Sequence, residues 1–160
     1  MRIGFGYDSH RFSGEPKPLV LGGVRLDDTR GLKAHSDGDV VIHAVIDALL
    51  GAAALGDIGG HFPDTDARWR GADSAQLLAA VVDELSAAGY RLGNLDVTVI
   101  CEWPKIRPRA DAMRASLAKL LRAEVSQVSV KGKTNEGMDD VGAGLGVEVH
   151  AAALLERRED

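Results

Sequence analysis

Ile3, Phe5 and Tyr7 alternate with Arg2, Gly4 and Gly6, the two-residue period of a strand with one buried face. Leu19 to Leu26 predicts a second extended stretch, bent by a bulge or turn at Gly22-Gly23. A polar loop over 31–39 follows, and Ser36-Asp37-Gly38-Asp39 has the make-up of a capping box. Val40 to Leu55 then reads as a helix that is apolar nearly all round, and therefore deeply buried. The span 56–72 is rich in Gly, Asp and Pro and carries no period, which predicts a long loop. Ser74 stands where a cap belongs, ahead of a helix whose Leu77, Leu78, Val81, Val82 and Leu85 share one stripe and which Gly89 stops. Leu95, Val97, Val99 and Cys101 alternate as a strand, and Met113, Leu117, Leu120 and Leu121 mark a third helix after Pro108. Val128 and Val130 predict a short strand, 132–146 a glycine-rich loop, and Val147 to Leu155 a last strand. Strands and helices mix without strict alternation, so the fold class is α+β, a mixed sheet with helices on one face. No repeat, low-complexity tract or linker divides the chain, which reads as a single domain over 1–160.

Composition narrows the function classes. With 45% hydrophobic and 27% charged residues the chain is neither disordered nor collagen-like. Aromatics are only 4% against 19 glycines, so the core must be aliphatic and alanine-rich. A net charge of -5 argues against a protein that mainly coats nucleic acid or an anionic membrane. Cys101 is the only cysteine, which forbids an internal disulfide and suits a reducing compartment. The first residues meet a charge at Asp8 and do not read as a signal peptide. The apolar run 40–55 is broken by His43 and Asp47 and is shorter than a bilayer span of roughly 20 residues. The expectation is a soluble, cytoplasmic protein.

Side chains two apart leave a strand on the same face, so Asp8 and His10 project side by side. His43 lies in the middle of the buried helix, where an imidazole is costly unless something satisfies it. One carboxylate and two imidazoles suit tetrahedral zinc with a position left for substrate. On spacing alone, two surface residues and a hydrogen-bonded core histidine remain the plainer reading. Asp47, four residues after His43, is placed to accept from its second ring nitrogen, or else to pair with a cation along the helix.

His35 and Ser36 precede a helix N-terminus, where free N–H groups favour phosphate; capping by Ser36 and Asp39 is the competing reading. Asp57, Gly59, Gly60, Asp64 and Asp66 give a loop able to approach a sugar hydroxyl or a cation, though most acidic loops are simply solvated. Pro104 to Pro108 is rigid and basic and could offer backbone to a base, or merely enter a helix. Lys131, Lys133, Thr134, Asn135 and Glu136 mix cations, neutral donors and a carboxylate, a set suited to a diphosphate with a bridging metal; a structural turn is the alternative. The spacing is not that of a P-loop. Cys101 reads as core rather than nucleophile.

The order of these motifs is more telling than any one of them. Arg-Ile-Gly-x-Gly-x-Asp-x-His at 2–10, Ala-His-Ser-Asp-Gly-Asp-Val at 34–40, the Asp-Ala-Leu-Leu-Gly-Ala-Ala-Ala-Leu-Gly-Asp-Ile-Gly run at 47–59 and Phe-Pro-Asp-Thr-Asp at 62–66 closely resemble the 2-C-methyl-D-erythritol 2,4-cyclodiphosphate synthase family. Gly-Ala-Asp-Ser at 71–74, Leu-Gly-Asn at 92–94 and Lys-x-x-x-Asn-Glu-Gly at 131–137 extend the likeness over essentially the whole chain.

The resemblance implies zinc, or another divalent cation, on Asp8, His10 and His43. It implies methylerythritol phosphate contacts from Asp8, His10, His35, Ser36, Asp57, Gly59, Phe62 and Asp64, and a cytidine pocket at 101–107 including Cys101, Lys105, Ile106 and Arg107. Lys133, Thr134, Asn135 and Glu136 match the diphosphate loop, with Glu136 the ligand of a second cation, magnesium or manganese, and His35 and Thr134 steadying charge in the transition state. The family resembles the ferredoxin-like fold and forms homotrimers whose active sites lie between subunits. The implied reaction turns 4-diphosphocytidyl-2-C-methyl-D-erythritol 2-phosphate into the 2,4-cyclodiphosphate with release of CMP, in the non-mevalonate route to isoprenoids.

Asp140 and Ala143 stand where the family carries an aromatic residue and a phosphate-facing arginine, and Ala143 and Leu145 lack the charges of its central trimer cavity. The sequence therefore predicts no isoprenoid diphosphate on the threefold axis. Two other functions compete: a zinc phosphoesterase, which would release inorganic phosphate, and a trimeric cytidine-nucleotide-binding module without turnover. Metal content separates the module from the two enzymes.

Overall fold

The computed structural model describes residues 1–69 and 71–158. In chain order the elements are β1 (Arg2–Arg11), β2 (Leu19–Leu21), β3 (Val24–Asp27), α1 (Val40–Ala53), α2 (Ile58–His61), α3 (Ser74–Ala87), β4 (Tyr90–Ile100), α4 (Ala110–Leu121), β5 (Val128–Lys133), α5 (Asp139–Gly142) and β6 (Gly146–Arg157). A four-stranded mixed sheet runs β1-β6-β4-β5, antiparallel except for the parallel pair β4 and β5. The α+β class with helices over one sheet face holds. The strand–helix–strand order differs from ferredoxin-like β-α-β-β-α-β, because α4 rather than a hairpin joins β4 to β5 and so makes them parallel.

The first strand corrects an expectation. Its buried face is the glycine face: a Cβ on Gly4 would lie 2.0 Å from the Ala48 carbonyl oxygen, and one on Gly6 1.9 Å from that of Ala44. Only glycine lets α1 lie so close to the sheet. Ile3, Phe5 and Tyr7 point the other way and are 76%, 65% and 47% exposed. The glycine face continues to Asp8 and His10, alongside the turn of α1 that carries His43.

α1 begins at Asp39, whose carboxylate accepts from the N–H groups of Val41 and Ile42 (3.1 Å each), as well as from Gly22 (2.8 Å) and Gly23 (2.6 Å) in the β2–β3 turn. Gly22 and Gly23 both have positive φ, so the expected bend is a two-residue hairpin turn. Ser36 does not cap the helix; its hydroxyl accepts from Gly38 N–H at 3.1 Å. The span 56–72 is not a featureless loop, since it contains α2 and a 3-10 turn at Ala67–Trp69. Asp73, not Ser74, caps α3 by accepting from Ala75 N–H, and the glycine-rich span 132–146 includes β5's end and α5. Valine, leucine, isoleucine and alanine make up nearly all of the core, as the scarcity of aromatics required. Among the described residues no helix is long and apolar enough to cross a membrane.

Candidate active site

Asp8 Oδ2 lies 2.9 Å from His43 Nδ1 and 3.1 Å from His10 Nε2, and the two ring nitrogens are 3.3 Å apart. His43 is buried, with 9% of its surface exposed. Its far nitrogen, Nε2, sits 3.0 Å from Ser74 Oγ and 3.2 Å from Ser36 Oγ. Ser74, itself fully buried, donates its hydroxyl proton to Asp37 Oδ1, so its oxygen is left to accept from His43 Nε2–H. In that neutral tautomer Nδ1 carries the lone pair that a cation beside Asp8 and His10 would take. Burial works to raise the Asp8 pKa, but hydrogen bonds and charge from the His10 and His43 rings in their protonated form outweigh it and hold the carboxyl well below the usual range. One carboxylate and two imidazole nitrogens thus converge on one point, a donor set that fits a divalent cation. Among the described residues this is the sole group of three such side chains placed to do so.

The expected contact from Asp47 to His43 is absent. Asp47 lies on the same side of α1, but its carboxylate accepts from Ile58 N–H at 2.8 Å and anchors the start of α2. Burial raises its pKa, with the Ile58 N–H opposing. Ser74 takes the role that the spacing gave to Asp47.

The cluster opens into a cavity of about 420 Å³, lined by Asp8, His10, His35, Ser36, His43, Asp47, Gly59, Phe62 and Asp64, with Trp69 and Leu77 among its apolar walls. Phe62 and Trp69 meet edge to face, centroids 5.0 Å apart. Sequence reasoning missed Trp69, which offers only a lone aromatic in an aperiodic stretch. Asp57 does not line the cavity; its carboxylate caps α2, accepting from Gly60 N–H at 2.8 Å.

A second group forms where parallel β4 and β5 end together, with Cys101 N–H donating to the Lys133 carbonyl at 3.0 Å. This sets the 101–107 and 133–136 segments side by side. Ile106 is buried over Gly132, Lys105 Nζ donates to the Glu102 carbonyl at 3.3 Å, and Arg107 is exposed. Burial pushes the Cys101 thiol up to about 11, with Lys105 opposing, so it is no nucleophile. Thr134 Oγ1 donates to Glu136 Oε1 (2.9 Å), and Asn135 Nδ2 to Asp139 Oδ2 (2.8 Å). Asp140 is held by an ion pair with Arg11. None of Cys101, Lys105, Ile106, Arg107, Lys133, Thr134, Asn135 or Glu136 lines the cavity of the same chain.

The chain resembles known proteins along nearly its whole length. The YgbB family model matches residues 1–156. The 2-C-methyl-D-erythritol 2,4-cyclodiphosphate synthase of Alcanivorax borkumensis is 56% identical over 156 residues, covering 98% of this chain and 97% of that one. Its namesake from Salinibacter ruber is 54% identical, covering 98% and 99%. A solved 2C-methyl-D-erythritol-2,4-cyclodiphosphate synthase in a CDP-bound form superposes with a TM-score of 0.87 at 41% identity, covering 97% of this chain and 100% of that one. The bifunctional IspDF from Campylobacter jejuni gives 0.95 at 40% identity, covering 99% of this chain and 42% of that longer one. Motif order, fold and likeness over nearly the full length of its relatives all point to one ancestry: this chain belongs to the YgbB family.

Proposed function

We propose that this chain is a 2-C-methyl-D-erythritol 2,4-cyclodiphosphate synthase, converting 4-diphosphocytidyl-2-C-methyl-D-erythritol 2-phosphate to the cyclic diphosphate and CMP. The observation that carries the proposal is the convergence of Asp8, His10 and His43 in the wall of the cavity, in a chain of this family. An oxygen of the 2-phosphate bonds to the β-phosphorus, and the bond from that phosphorus to the oxygen bridging it to the α-phosphate breaks. CMP leaves with that oxygen. The attacking oxygen is already ionised, so the task is to bring two anions together and hold them in line. Asp8, His10 and His43 would hold zinc or another divalent cation, which when bound supplies Lewis-acid neutralisation of the phosphate. His35 and Ser36, before the α1 N-terminus, meet the phosphorylated sugar, together with Gly59, Phe62 and Asp64, while Asp57 positions this segment by capping α2.

Cys101, Lys105, Ile106 and Arg107 receive the cytidine, and Lys133, Thr134, Asn135 and Glu136 the diphosphate, with Glu136 toward a second magnesium or manganese ion. Thr134 and His35 steady charge in the transition state. These segments lie away from the cavity of their own chain, which supports a homotrimer in which they serve a neighbour's cavity. The apolar outer face of β1 supports it too, because a long edge strand bearing Ile3, Phe5 and Tyr7 needs a cover. A cytoplasmic location fits a chain with one cysteine and no internal disulfide. Phosphorus NMR on the cytidyl substrate tests the proposal: CMP with a cyclic diphosphate is expected, and inorganic phosphate would instead mark a phosphoesterase.

A further inference from the structure

Arg30 lies in the loop after β3 and has been given no role above. Its guanidinium stands 4.4 Å from the ring centroid of Phe12 and 4.6 Å from that of Trp103, whose own centroids are 5.8 Å apart. The same guanidinium donates through Nη2 to the Gly144 carbonyl at 3.2 Å. Phe12 N–H in turn donates to the Leu145 carbonyl at 2.9 Å, and Ser13 N–H to that of Gly31 at 2.8 Å. One cation therefore touches three separate segments: the 101–107 loop through Trp103, the loop that closes the 133–145 span through Gly144, and the end of β1 through Phe12. A planar guanidinium can face two rings and still donate in its own plane, which a lysine ammonium cannot do equally well.

We infer that Arg30 is a positioning residue for nucleotide binding, clamping Trp103 against Phe12 and so fixing the 101–107 loop in register with the 133–145 loop. This deepens the functional reading above and rests on its assignment of cytidine to 101–107. Trp103 directly precedes Pro104 and Lys105, so a shift of its ring moves the backbone offered to the base. Arg30 is not among the residues lining the cavity, so its loss leaves the Asp8, His10 and His43 cluster intact.

The test is isothermal titration of the full-length, metal-loaded protein with CDP, for wild type, Arg30→Lys and Arg30→Met. Arg30→Met is expected to weaken CDP by at least about ten-fold, and Arg30→Lys by less because it keeps the cation but not the planar donor. In turnover the KM for the cytidyl substrate should rise by a like factor, with kcat and metal content close to wild type. In a Trp69→Phe background, where Trp103 is the one tryptophan, emission reports whether the ring has been released, and is expected to shift in Arg30→Met and not in Arg30→Lys. CDP affinity equal to wild type in Arg30→Met would overturn the inference, as would a fall in kcat and metal content with KM unchanged. If the wild type itself does not bind CDP, the cytidine assignment falls, and this inference with it; wild-type binding with an unaffected variant sinks the clamp alone.

Discussion

At the scale of single residues the site depends on which way each lone pair points. Ser74 gives its proton to Asp37 and accepts from His43, and this leaves His43 Nδ1 facing the cation position. Ser74→Ala should therefore keep all three donors yet lower metal affinity by about 10- to 100-fold, read by competition with a chromogenic chelator. Unchanged affinity would show that the tautomer is set elsewhere. Cys101 makes a second prediction. Its thiol is pushed up to about 11 by burial, against an ordinary value of 9.0, so little thiolate is present at pH 8. Alkylation by iodoacetamide in the native state should run at least about ten-fold slower than in urea and accelerate only above pH 10; equal rates at pH 8 would contradict the burial. Much of this was legible in the sequence. The two-residue spacing of Asp8 and His10, and a histidine in an apolar helix, raised the donor set without favouring it, and the family resemblance then implied it. Asp47 shows where spacing stops: four residues along a helix fixes a shared side, not the direction in which a short carboxylate turns, and the free N–H of Ile58 claimed it. Ser74 was read as a cap because serine before an apolar stripe usually is one, while Asp73, one residue earlier, had the carboxylate to do it.

At the scale of elements, the contact of β1 with α1 brings Asp8 and His10 to His43. It is made through backbone, with Gly4 and Gly6 against Ala44 and Ala48. A methyl group at Gly4 would meet a helix carbonyl at 2.0 Å, which no rotamer can relieve. Gly4→Ala should destabilise the fold by about 3 kcal/mol in urea unfolding, at the upper end of overpacking costs, and loosen the metal cluster as α1 backs away. A loss below about 1 kcal/mol would mean that the helix shifts freely. Hydropathy could not reveal this arrangement, because a glycine face carries no hydrophobic signal. The elements themselves were readable where a period ran long enough: α1, α3, α4 and β6 fall within about two residues of their expected bounds, whereas β4 begins at Tyr90, ahead of the alternation that starts at Leu95. α2, the 3-10 turn and α5 were not, since four residues or fewer show no period.

At the scale of the whole molecule, the alternation at the N-terminus predicted a strand correctly and its buried face wrongly. Ile3, Phe5 and Tyr7 are uncovered within one chain, and the assembly proposed above would cover them. Phe5→Glu, which places a charge on that face without touching the glycine face, should yield monomers in sedimentation and cut turnover by more than about 100-fold, as each site loses its neighbour's loops. A variant that stays trimeric and active would remove the outer face of β1 from the interface. The most direct measurement follows turnover of the cytidyl substrate by phosphorus NMR, first with protein stripped by chelator and then after adding zinc back. The account predicts no cyclic diphosphate from the stripped protein, its appearance with CMP once metal returns, and no such recovery in His43→Ala. Undiminished cyclisation by metal-free protein, or by His43→Ala, would contradict it.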